Sequence, residues 1–284
     1  MAPVKRSKSP DDLLLQGAMV SFPVGRNLLD GFWRAAQPQR DTLLITVHGM
    51  HSNFYSSRLK KEIFRLAESG PADVLIFNNR GSGSDVEAER FTDCRVDIGA
   101  ALAWGRRRGY RRFFLAGHST GCQKNLYYLD RAGPQDVRGL ILLAPCDDFA
   151  ICRRDLGRQY DARIRQALSL LASGRGGERM PPDARRFTAQ RFLSIADRSR
   201  TEAALFDYDG PMRAWRRLCM PVLVVFGTRE EYACLPVRDM IHRLEGRAKT
   251  PDFEAILLRG ADHGFHGYEA AVAEEIARWM AGGT

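Results

Sequence analysis

The chain has 284 residues, 44% of them hydrophobic and 27% charged, the ordinary balance of a globular domain with room for a full core. Its net charge of +9 comes from 43 Lys and Arg against 34 Asp and Glu, scattered as short groups such as Arg106-Arg107-Arg108, Arg153-Arg154 and Arg216-Arg217. No nucleic-acid motif accompanies them, so a solvated basic surface and no nucleic-acid partner are expected. No run approaches the roughly 20 apolar residues of a membrane helix.

Met1 to Asp12 is polar and basic, lacks the apolar core of a secretory signal, and reads as a frayed tail. Runs around Leu13 to Phe22 and Leu28 to Ala35 predict an antiparallel edge hairpin. Thr42 to Val47 is a short apolar run of the kind found in strands buried on both faces. Ser56 to Ser69 predicts a helix, Asp73 to Phe77 a strand, and Phe91 to Arg107 a second helix with Ile98 and Leu102 on its apolar stripe. Arg112 to Ala116 predicts a strand that ends in Gly117-His118-Ser119-Thr120-Gly121, and a helical pattern follows at once. Val137 to Ala144 is another buried strand, stopped by Pro145. This alternation is the mark of a mostly parallel sheet covered by helices.

The alternation then breaks. From Cys146 to about Arg217 the chain is polar and helix-rich, with a flexible stretch at Ser173-Gly174-Arg175-Gly176-Gly177. This is too long for a loop and reads as an inserted helical cap. Strands and helices resume at Pro221 to Phe226, Pro236 to Leu244, Phe253 to Leu258 and Glu269 to Met280. The expected division is a core from residues 1–145 and 218–284, with residues 146–217 as the cap.

The strand–turn–helix around Ser119 carries the chemistry. Such a turn strains the serine backbone and presents its hydroxyl at the C-terminal edge of the sheet. Gly117 and Gly121 let strand and helix approach closely. A serine nucleophile needs a base, itself oriented by an acid, and here the order is serine, acid, histidine. His263, in Gly260-Ala261-Asp262-His263-Gly264, follows the last strand at that same edge and is the expected base. His266 and His242 fit less well, on a helical turn and within a helix. Glu230, three residues after Gly227 beyond the penultimate strand, is the expected acid, with Glu231 and Asp147 as alternatives. The backbone N–H groups of Met50, in Val47-His48-Gly49-Met50, and of Thr120 are the expected oxyanion donors. His51, Asn53, Tyr208 and Trp215 are candidate pocket residues. Asn78-Asn79-Arg80-Gly81-Ser82-Gly83 lacks the G-K-[ST] ending of a phosphate loop and reads as a structural turn at the rim. Six cysteines without a C-x-x-C pair offer no metal-site spacing and suit a reducing cytoplasm.

Taken in order, V-H-G-M, N-R-G-S-G-S, G-H-S-T-G and A-D-H-G resemble the α/β-hydrolase superfamily from about Thr42 to Met280. The short motifs G-H-S-T-G-C-Q and E-E-Y are also similar to a branch that includes fungal siderophore-ester hydrolases. The resemblance implies an α/β-hydrolase fold of about eight mostly parallel strands flanked by helices, with a helical cap. It also implies a serine hydrolase acting on a small-molecule acyl ester, possible variants being a lactone or thioester, without metal or organic cofactor. Where the family usually has aspartate, this chain has Glu230. An acyltransferase on the same triad and a non-catalytic ligand- or partner-binding member of the fold are the alternatives.

Overall fold

A computed structural model describes residues 15–250 and 252–282. The predicted tail, Met1 to Asp12, and the first two residues of the predicted hairpin lie outside the described residues.

Among the described residues, eight strands form one sheet. They are β1 (Ala18–Val24), β2 (Asn27–Arg34), β3 (Thr42–Val47), β4 (Asp73–Phe77), β5 (Arg112–His118), β6 (Val137–Leu143), β7 (Val222–Arg229) and β8 (Phe253–Asp262), in the spatial order β1-β2-β4-β3-β5-β6-β7-β8. The hairpin β1–β2 forms one edge, and β2 is antiparallel to both its neighbours; every pairing from β4 to β8 is parallel. Every residue of β3 and β4 is buried, because helices cover both faces there. β1 alternates buried and exposed positions, as an edge strand with one covered face must.

The helices are α1 (Arg58–Arg65), α2 (Cys94–Arg107), α3 (Thr120–Ala132), α4 (Asp148–Leu156), α5 (Tyr160–Ala172), α6 (Ala189–Ala196), α7 (Val237–Glu245) and α8 (Glu269–Gly282). α1 packs on α8, and α2 on α3. α1 is shorter than its sequence pattern suggests: the chain tightens into a 3₁₀ turn at Leu66–Glu68 before Gly70. The start of α2 is likewise preceded by a 3₁₀ turn at Phe91–Asp93.

Between β6 and β7 the chain runs through α4, α5 and α6. Their apolar faces form a separate small core of Cys152, Leu156, Ala167, Phe187, Phe192, Leu193 and Ile195, which takes in Val86 from beyond β4. The stretch after α6 behaves differently. Leu205, Phe206, Tyr208, Met212 and Trp215 join the main core beneath the sheet. A buried ionic cluster links the insertion to the rest of the molecule. Glu89 pairs with Lys124 on α3 and, at 3.5 Å, with Arg191 on α6, whose guanidinium also lies over the rings of Phe91 and Phe187.

Candidate active site

The parallel strands β3, β5, β6, β7 and β8 all end at one edge, and the candidate residues gather there. Ser119 joins β5 to α3 with φ 55° and ψ −128°, a left-handed conformation that is strained for a residue with a Cβ. Two glycines make this turn possible. A Cβ on Gly117 would collide with the Gly121 backbone, and one on Gly121 with the Val47 carbonyl. The turn is held by the Ser119 N–H, which donates to the Leu143 carbonyl at 2.9 Å, and by the Cys122 N–H, which donates to the Ser119 carbonyl at 2.8 Å. Three other non-glycine residues with positive φ surround it: His51, Ala144 and Phe265. Strain of this kind persists only where the surrounding structure imposes it.

Glu230 and His263 are brought together by strand register. β7 and β8 pair in step from Val222↔Phe253 to Gly227↔Leu258, and then β8 bulges so that Arg229 faces Asp262. Gly260, at φ +88°, turns the bulge, and its N–H donates to Thr228 Oγ1 at 2.8 Å. Gly227 leaves space for Ala261 to cross it. The residues that follow the last paired positions are Glu230 and His263, and His263 Nδ1 lies 2.8 Å from Glu230 Oε1. Both are buried. Glu230 Oε1 also accepts the Tyr232 N–H at 3.1 Å, and the Tyr232 ring meets the imidazole edge-on with centroids 4.6 Å apart.

The neighbouring carboxylates are engaged elsewhere. Glu231 Oε2 accepts the backbone N–H of His263 at 2.9 Å, so it braces the loop and leaves the imidazole to Glu230. Asp147 caps α4 through the Ala150 N–H at 2.8 Å and also accepts the Tyr208 N–H at 3.1 Å. Burial raises its carboxyl to about 7 against the pull of those two bonds. His266 is exposed and pairs with Asp262 at 2.9 Å, whereas His242 lies on α7.

His118 and Cys146 complete the immediate surroundings, and neither stands out in the sequence as a site residue. Burial lowers His118 to about 3, so its ring is neutral, and its Nε2–H donates to the His263 carbonyl at 2.8 Å. Cys146 Sγ lies 3.9 Å from Ser119 Oγ, and 3.9 and 4.0 Å from the two ring nitrogens of His263. Burial pushes its thiol well above the ordinary range, so it stays protonated beside the serine. A signal for Cys146 existed: it follows the buried strand next to the one that carries Ser119.

The loop after β3 closes the other side. Gly49 is needed there, because a Cβ would press on the His118 carbonyl and the Ser119 side chain. His48, fully buried and lowered to about 3 by burial, donates from Nδ1 to the Gly49 carbonyl at 2.9 Å. The Asn78–Asp85 turn supports the same loop, with Asn78 Oδ1 accepting from Phe54 N–H at 2.8 Å and Gly83 N–H donating to the Ser52 carbonyl at 2.9 Å. Met50 and Thr120 both line the cavity beside Ser119. Thr120 opens α3, where the first N–H groups have no partner inside the helix.

This cavity has a volume of about 900 Å³. Ser119, Cys146, Tyr232 and His263 line it from the sheet, His51 and Lys60 from the β3 side, and Asp148, Ile151 and Arg185 from the insertion. Asn53, expected in the pocket, is outside it: its Oδ1 is used by the N–H groups of Tyr55 and Ser56 at 3.0 and 2.7 Å. Tyr208 and Trp215, also expected there, are corrected as well. Each is 1% exposed, and their polar atoms point into the core, Tyr208 Oη to the Pro145 carbonyl at 2.8 Å and Trp215 Nε1 to the Leu244 carbonyl at 2.9 Å. Cys146, Glu230 and His263 form a buried trio whose ligand-type atoms lie within 4.8 Å of one another. The 2.8 Å imidazole–carboxylate contact within it is that of a hydrogen bond.

No curated protein sequence matches the chain. Solved structures do match its fold. Est1E from Butyrivibrio proteoclasticus superposes with a TM-score of 0.69 at 17% identity, covering 94% of this chain and 99% of that one. The siderophore hydrolase EstB from Aspergillus fumigatus gives 0.71 at 14%, covering 95% and 98%. A soluble variant of monoglyceride lipase from Saccharomyces cerevisiae gives 0.68 at 13%, covering 100% and 99%. The family model described as the alpha/beta hydrolase family matches residues 44–275, and the chain belongs to that family.

Proposed function

We propose that this protein is a serine hydrolase that cleaves a carboxylic ester through an acyl-enzyme on Ser119. The observation that carries the reading is the 2.8 Å contact between His263 Nδ1 and Glu230, at the cavity that also contains the strained Ser119 turn. With Nδ1–H held by the carboxylate, the lone pair of the imidazole is on Nε2. His263 takes the Ser119 proton as Oγ attacks the ester carbonyl. The tetrahedral oxyanion is met by the N–H groups of Met50 and Thr120, and His263 returns the proton to the leaving alcohol. Water, deprotonated by the same imidazole, then releases the acid. Glu230 orients the ring and stabilises its cation. No metal or organic cofactor takes part in these steps.

The family and the esterase and lipase structures of similar fold support this reaction class. Six free cysteines, four of them buried, suit a reducing compartment, and we assign the protein to the cytoplasm. No helix among the described residues is long and apolar enough to cross a membrane, and the reading involves neither a membrane nor nucleic acid.

The test is a panel of purified 4-nitrophenyl and alkyl esters of increasing acyl length. The parent should turn over at least one of them, and Ser119→Ala should lose activity on the scale of about 10⁶ while keeping its fold, as when a triad nucleophile is removed. Full activity in Ser119→Ala contradicts the proposal. Products that form only when an added alcohol or amine accepts the acyl group would make the enzyme an acyltransferase.

A further inference from the structure

Lys60 is 3% exposed, yet it lines the cavity that contains Ser119. Its ammonium donates to the Ser52 hydroxyl at 2.7 Å, and no carboxylate among the described residues pairs with it. An ammonium has three protons to donate, so a hydroxyl leaves it under-used. Burying a cation without an opposite charge is costly. The strain is visible in the amine itself, which burial lowers from 10.5 to about 7. Its charge is also felt at His48 and His118, the residues that flank the Gly49 loop and Ser119.

A second, independent feature faces the same space. Residues 56–62, which include the first turn of α1, line the cavity. No side chain caps this helix, and no acidic residue lies in its first turn. Such a terminus presents N–H groups and the positive end of the helix dipole. Of the other cations on the wall, the two arginines have carboxylate neighbours, although Arg58 Nε makes no hydrogen bond, and Lys61 is a further, partly exposed one. Arg58 pairs with Glu62 at 3.7 Å and Arg185 with Asp155 at 2.9 Å.

We propose that Lys60 and the first turn of α1 form a carboxylate-binding subsite, and that the ester cleaved at Ser119 carries a free carboxylate held there. The proposal rests on the ester-hydrolase reading and adds the substrate class. Glu62, Asp148 and Glu269 also line the cavity, so a single negative charge suits the subsite better than a dianion. Binding returns to the buried ammonium the opposite charge that the protein withholds.

The experiment compares kcat/KM for two carboxylate esters, mono-4-nitrophenyl glutarate with the charge on the acyl side and 4-acetoxybenzoate with it on the alcohol side. Each is set against its neutral methyl ester. At least one carboxylate substrate should be preferred over its neutral counterpart, mainly through a lower KM. Lys60→Met should cut kcat/KM for that substrate by about 10- to 100-fold, the scale of a lost hydrogen bond to a charged group. The readout is the ratio of the carboxylate ester's kcat/KM to the neutral ester's, which should fall by that factor whatever the variant does to the neutral ester itself. Lys60→Arg should keep part of the preference. As a check that needs no variant, free butyrate, a monoanion, should inhibit parent hydrolysis of the neutral ester competitively. Neutral esters preferred in both pairs, or a preference unchanged in Lys60→Met, overturns the subsite. Failure of every ester, neutral ones included, defeats the hydrolase reading instead.

Discussion

Ser119, Glu230 and His263 belong to three different strand ends, and neighbouring groups hold each of them there. The serine is fixed by its own backbone, and the imidazole by Glu230 at Nδ1, by the His118 bond to its carbonyl and by the Glu231 bond to its N–H. Adjacent glutamates thus do different work, one on the ring and one on the backbone. Glu230→Gln should therefore lose roughly 10²–10⁴ in kcat/KM, since an amide can turn its NH2 to Nδ1 and hold the wrong tautomer, and it carries no charge to stabilise the imidazolium. Glu231→Gln should lose far less, because an amide oxygen still accepts the His263 N–H. Steady-state kinetics of both variants on one ester decide the matter, and a reversed order makes Glu231 the acid. Ser119, His263 and Glu230 were legible as candidates because a turn motif, a strand end and a spacing from glycine are local features. Lys60 and Cys146 were not. A lysine in a helical pattern looks like part of a solvated face, and a cysteine after an apolar strand looks like core filling; only the fold shows that both line the cavity that contains the serine.

At the scale of elements, the site depends on where strands and helices end. The bulge in β8 shifts the register by a whole pleat, so His263 arrives opposite Glu230 on the correct side. That shift was not readable from sequence, since the apolar run from Phe253 to Leu258 stops before it. Helix α1 makes the opposite contribution, placing a buried cation in the cavity at the expense of stability. In the folded chain Lys60 loses its proton near 7, whereas in the unfolded chain it keeps it to about 10.5. Between those values the unfolded state binds the extra proton, so stability grows as pH rises and is lost as pH falls through 7. Lys60→Met removes this penalty. Its melting temperature should exceed the parent's by several degrees at pH 7 and by much less at pH 10. Thermal unfolding at the two pH values checks the sign, and an equal shift at both means the buried amine is not titrating as described.

Over the whole molecule, two cores are distinguished, and we expect the sheet core to bear on stability and the cavity wall beside the small core to bear on substrate selection. The sheet core includes the aromatics that follow α6, and the small core of α4 to α6 is tied to it through Glu89, Lys124 and Arg191. The alternating pattern of the sheet was legible throughout, because strands buried on both faces leave continuous apolar runs. Hydropathy alone does not say which of two cores an aromatic joins, and for that reason Tyr208 and Trp215 looked like pocket residues. Trp215→Ala should cost about 3–5 kcal/mol of stability with little change in the ranking of esters. Ile151→Ala, on the cavity wall, should instead alter the preference for acyl length. Denaturant titrations together with the ester panel separate the two, and a changed ranking in Trp215→Ala would contradict this division.

The central claim is that Ser119 is the atom acylated. The most direct measurement is intact-mass and peptide mass spectrometry after treatment with a fluorophosphonate probe. One adduct is expected, on the peptide that contains Ser119, absent from Ser119→Ala and strongly slowed in His263→Ala. An adduct on any other residue, or undiminished labelling of Ser119→Ala, would contradict it.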